Sequence, residues 1–73
     1  MIKSIQTKEY VYFVERLRKA RMEAGLTQVQ VAKKICRPQS HISNIESGQQ
    51  RVDVIELKRF AKLYSKDINY FIK

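Results

Sequence analysis

The sequence holds one cysteine, one proline, two glycines and no tryptophan. A single cysteine permits no internal disulfide. One cysteine and one histidine also fall short of the four ligands of a closed zinc site. Cysteine use this sparse fits a reducing cytoplasm. Two separated glycines exclude a glycine-rich phosphate loop. No apolar run approaches the ~20 residues of a membrane span. The opening "MIKSIQTKEYVYF" lacks the apolar core of a secretory signal. No carboxylate pair with a neighbouring base and no Cys–His pair within sequence reach marks a catalytic site, so neither enzyme activity nor a cofactor or metal is expected. Acidic residues are scarce as well, 7 against 15 lysines and arginines, which leaves a net charge of +8. A chain this basic ordinarily meets a polyanion, either nucleic acid or an anionic membrane surface.

With 73 residues the chain is expected to form one small domain, residues 1–73, of which 1–7 are an N-terminal extension. A domain of this size buries only about 60% of its unfolded surface. With disulfide and metal excluded, a second copy of the chain is the remaining common aid.

The spacing of apolar residues predicts helices and no strand. The first helix runs from about Lys8 to Ala24, between a Thr7 N-cap and Gly25 at C′. Its inward residues are Phe13, Val14, Leu17, Ala20 and Ala24. Arg16, Arg18, Lys19 and Glu23 are expected mostly to face water. "TQVQ", Thr27 to Gln30, is a capping box that opens a second helix reaching about Ile35. Pro38 suits the first turn of a third helix, which ends near Glu46 just before Gly48. "DVIE", Asp53 to Glu56, is a second capping box, and it opens a fourth helix to about Tyr64. Asp67 caps a short fifth helix, Ile68 to Ile72.

The third helix is unlike the rest of the chain. Between Pro38 and Arg51 the only charges are Glu46 and Arg51 itself. Ile42 and Ile45 share one side. Gln39, Ser40, Ser43, Asn44 and Ser47 fall within an arc of about 140° on the other. The wet face of this helix therefore carries amides and hydroxyls but no charge.

A short helix, a turn and a second helix after a longer one make a helix-turn-helix arrangement. "LRKARMEAGLTQVQVAKKI…PQSHISNIESGQ" resembles the phage lambda repressor/Cro-like family of DNA-binding domains. The frame is Arg21, "GLTQ", Ala32, "QSHIS" and "IESG", and "RVDVIEL…FAKLY…D" continues it; the likeness spans about residues 12 to 72. It implies an all-α, compact five-helix fold with the helix-turn-helix formed by helices 2 and 3. It also implies a transcriptional regulator, most simply a repressor, that binds double-stranded DNA as a homodimer on a palindromic operator.

By the same resemblance Gln39, Ser40, Ser43 and Asn44 are expected to read bases, since helix 3 enters the major groove in this family. Gln28, His41, Gln49, Gln50 and Arg51 are expected on the phosphate backbone; for His41 the alternative is a ring that covers the core. Arg21 and Glu46 are expected to form a structural ion pair. Ile68, Tyr70, Phe71 and Ile72 are candidates to close the core or to meet a second copy. The likeness departs at Cys36 and Ser65, where relatives usually have glycine, and Cys36 is expected to be buried or half-buried.

Other settings share this resemblance, namely a restriction–modification controller or an antitoxin with a toxin partner. Polymerase is a further possible protein partner. The antitoxin reading ranks below a plain regulator because only the residues before helix 1 are spare. Two rivals from other classes are a protein-interaction module that has lost DNA binding and a basic amphipathic peptide at a membrane surface. Loss of the polar face or of the basic excess would favour the first, and this sequence keeps both. The register with helices 2 and 3 weighs against the second. The expected setting is the prokaryotic or phage-infected cytoplasm, at the nucleoid.

Overall fold

The computed structural model describes residues 7–73, and residues 1–6 of the expected N-terminal extension lie outside them. The described residues form five helices and no strand: α1 Lys8–Glu23, α2 Gln28–Lys34, α3 Gln39–Glu46, α4 Val54–Leu63 and α5 Asn69–Ile72.

Each start has a local cause. The Thr7 hydroxyl accepts from the Tyr10 amide. At α2 the capping box is complete, with Gln30 N–H donating to Thr27 Oγ1 and Thr27 N–H to Gln30 Oε1. Pro38 caps α3 from an extended backbone without a side-chain bond. At α4 only half of the expected box forms. Asp53 Oδ1 accepts from the Glu56 amide, but the Glu56 carboxylate turns instead to His41.

The four longer helices end in the same way. Two residues past each last helical position the backbone is left-handed, at Gly25, Cys36, Gly48 and Ser65. Paired bonds close each end, such as Gly25 N–H to Met22 and Leu26 N–H to Arg21. The end of α2 repeats them, with Cys36 N–H to Lys33 and Arg37 N–H to Ala32. This is the Schellman arrangement, in which the left-handed residue is usually glycine. Cys36 at φ 59° and Ser65 at φ 56° hold it without glycine's freedom. The Cys36 side chain is thereby exposed, not buried.

Burial then assembles the helices. Leu17 and Ala20 of α1, Val31 and Ala32 of α2, Ile42 and Ile45 of α3, and Phe60 and Ala61 of α4 meet in one core. Phe71 closes it beneath α1, fully buried and edge-on to the Phe13 ring. Phe71 is therefore not available to a second copy, since its whole ring belongs to the core. Ile68 and Tyr70 are half-buried against the same cluster, and only Ile72 of the four candidates is open, at 59% exposure. Arg16 is also more engaged than expected. Its Nε donates to the Tyr70 carbonyl, and its guanidinium lies 4.3 Å from the Tyr70 ring centre.

Candidate nucleic-acid interface

α3 is set by its apolar side. Ile42 and Ile45 are buried, so Gln39, Ser40, Ser43 and Asn44 are turned outward and exposed. A relay of polar side chains fixes the helix against its neighbours. Arg21 grips Glu46 through two parallel bonds, Nε to Oε2 at 2.7 Å and Nη2 to Oε1 at 3.0 Å. Arg21 Nη1 also donates to the Leu26 carbonyl, which ties the α1–α2 link to the same ion pair. The bond to Glu46 raises the Arg21 guanidinium above its already high range. Gln28 Nε2 donates to Glu46 Oε1 at 3.1 Å, and Gln39 Nε2 donates to Gln28 Oε1 at 3.3 Å.

The relay runs from the end of α3, across the start of α2, to the first residue of α3. It leaves Gln39 with its amide oxygen and a second N–H unused. An acceptor and a donor on one planar amide are what the major-groove edge of adenine can engage together. Ser40, Ser43 and Asn44 add hydroxyls and another amide on the same face. Arg18 and the half-buried Gln28 border the cleft beside Ser43 and Ser47.

The loop after α3 is held from a distance. Gly48, at φ 80°, reverses the chain. The Tyr10 hydroxyl then donates to the Gln50 carbonyl and accepts from the Val52 amide, both at 3.2 Å. Arg51 lies over the Tyr10 ring, 5.1 Å from its centre. Burial raises the Tyr10 phenol above the ordinary tyrosine value, partly offset by the Val52 bond and the Arg51 charge. Gln49 and Arg51 are exposed on this loop.

His41 and Gln50 point elsewhere. Gln50 Nε2 donates to His41 Nδ1 at 3.0 Å, and His41 Nε2 faces the Glu56 carboxylate at 2.8 Å, where the ring is the donor. The His41 side chain is only 10% exposed. His41 is thus engaged at both ring nitrogens in an internal bridge from α3 to α4, while Gln50 keeps its amide oxygen and a second N–H. Arg37 approaches the other oxygen of Glu56, at 3.7 Å.

Tyr10, Arg37 and Glu56 are the site-supporting residues that sequence reasoning did not single out. Tyr10 lies 40 residues from its partner Gln50, and no local spacing announces that contact. Glu56 carried a signal, the capping box, but that signal pointed to a different partner.

Among the described residues no cluster of His, Cys, Asp and Glu could hold a metal ion. No described helix is long and apolar enough to cross a membrane. A helix-turn-helix family profile matches residues 17–71, most of the chain. The chain belongs to the lambda repressor/Cro-like helix-turn-helix family. No curated protein matches it. As a member of that family it is a DNA-binding transcription regulator of the XRE type, a class that is typically not enzymatic. Within the helix-turn-helix domain, α2 and α3 are the motif's two helices, and the polar relay spans the angle between them.

Proposed function

We propose that this helix-turn-helix domain is a cytoplasmic, operator-specific repressor that acts by occupancy as a homodimer. The observation that carries this reading is the uncharged, outward face of α3, held in place by Gln28, Glu46 and Arg21. A lysine on that face would be drawn to phosphates of any sequence. Gln39 and Asn44 instead offer paired donors and acceptors to base edges. Ser40 and Ser43 complete the reading set.

Gln28, Gln49 and Arg51 flank it and contact the sugar–phosphate strands. Tyr10 presets Arg51 for that contact by stacking beneath its guanidinium. The remaining positive charge brings the protein to DNA at long range.

The second copy meets the first across the apolar groove where Ile72 of α5 and Val54 of α4 stand open. Among the described residues no cation lines that groove, and Glu9 is the one charged residue there. On a chain of net charge +8 it is a surface where two copies can approach with little repulsion. Two copies related by a twofold axis read an inverted repeat whose half-sites are about 34 Å apart.

Selection of bound duplexes from a random library tests the reading. An enriched inverted repeat with that spacing is expected. Enrichment of a lone half-site would remove the dimer, and no enrichment at all would remove the reading helix.

A further inference from the structure

A second groove, of about 480 Å³, lies between the end of α2 and the last two turns of α4. Its apolar lining comes from Ile35 and Leu63, both half-buried. Its charges are Lys34, Arg59 and Lys62, all exposed. Among the described residues, none of these three cations belongs to an ion pair; the acids Glu23, Glu46 and Glu56 are taken by Lys66, Arg21, and His41 with Arg37. Arg59, Lys62 and Leu63 stand at i, i+3 and i+4, which aligns them as one stripe along α4. The residues proposed for DNA stand elsewhere, at the start of α2, on α3 and on the loop that follows it.

We propose that this groove docks a short acidic amphipathic helix of a partner protein. Complementarity of charge selects the occupant. Three unpaired cations around an apolar centre match a segment with carboxylates on its flanks and leucine-like residues on one face. A phosphate backbone would leave the apolar centre unused. Another copy of this chain, itself at +8, would bring like charge to like charge. The groove is an open trough between two helix surfaces, so a small molecule would bury little of itself there.

The chain provides its own reporter, because Cys36 is the single cysteine, is exposed, and lines this groove. The probe is a synthetic helix with leucines at i, i+3, i+4 and i+7 and glutamates between them. A scrambled peptide of equal composition is its control. Saturating probe slows iodoacetamide alkylation of Cys36 in the full chain by about tenfold or more, and the scrambled peptide does not. Arg59→Glu with Lys62→Glu weakens probe binding by at least about tenfold. Lys8→Glu with Lys19→Glu, a double variant of equal charge change on α1 that touches no residue lining the groove, weakens it far less.

Three results overturn the proposal. The scrambled peptide protects Cys36 equally, the probe binds without protecting it, or duplex DNA protects it. The last result would assign the groove to nucleic acid instead. Operator selection by the same protein is read independently, so failure here leaves the DNA-reading proposal standing.

Discussion

The Arg21–Glu46 pair is the point at which fold and interface depend on one contact, and its removal has a calculable effect. The two side chains are 13% and 5% exposed, and they are joined by bonds of 2.7 and 3.0 Å. Glu46→Ala strips Arg21 of both bonds and leaves only the Leu26 carbonyl to its guanidinium. It also orphans Gln28 Nε2. Loss of one partner from a fully buried pair costs about 3–5 kcal/mol. Arg21 keeps some access to water, so the lower end applies, about 3 kcal/mol. A chain of this length has a total stability of about 4–11 kcal/mol, and on that scale the melting temperature falls by about 10 °C or more.

Arg21→Ala should cost at least as much, since it leaves the better-buried carboxylate with Gln28 alone. The double variant should then cost less than the two single changes together, by about 2 kcal/mol, because no charge is left stranded. Urea unfolding followed by circular dichroism measures all three. Additivity within about 0.5 kcal/mol, or a single-variant cost below that figure, would refute the reasoning. The pair would then be a surface contact of little weight.

Four further outcomes are expected. Cys36→Gly and Ser65→Gly each raise stability by about 0.5–1 kcal/mol, because each left-handed backbone position then carries no Cβ penalty; an unchanged urea midpoint contradicts this. Gln39→Ala or Asn44→Ala weakens binding of the selected operator by about 1–3 kcal/mol through one base position, while Arg51→Ala weakens all duplexes alike and lowers the slope of log K against log salt by about one. Titration of duplexes carrying single base changes separates these two patterns. Val54→Asp with Ile72→Asp yields a monomer in sedimentation, and an intact dimer would place the twofold contact elsewhere.

The fourth concerns Tyr64. Among the described residues its hydroxyl is buried without a partner, and burial, reinforced by the Glu46 charge, pushes its phenol above the ordinary tyrosine range. The unfolded group ionises near pH 10 while the folded one stays neutral, so its share of stability is complete below about pH 10 and declines above it. Tyr64→Phe raises stability near neutral pH by about 1 kcal/mol and makes the alkaline decline shallower; a parallel pH profile refutes this.

The sequence carried the helix ends well because capping chemistry is local. Thr7, Thr27 and Asp53 announce their helices within three residues, and Gly25 and Gly48 announce ends. Cys36 and Ser65 show the limit of that reading. The hydrogen bonds of each helix end hold the same left-handed turn without glycine, and at Cys36 the side chain is left exposed. The outward face of α3 was legible from periodicity, since Ile42 and Ile45 leave only one orientation.

Contacts far apart in the chain were not legible from spacing, and the Arg21–Glu46 pair was expected only through the family resemblance. His41 reaches Glu56 from another helix, and Tyr10 reaches Gln50 and Val52 from near the start of the chain. Of the four apolar candidates in the tail, Phe71 is the one fully buried, edge-on to Phe13, and Ile72 the one left open. No spacing within "INYFIK" distinguishes it from Ile72.

On the proposed reading, neutral groups discriminate sequence and cationic groups supply grip. Affinity for the best selected duplex, set against a scrambled duplex of equal length at physiological salt, measures that separation directly. A preference of about a thousandfold or more is predicted. Equal affinity for the two would contradict it.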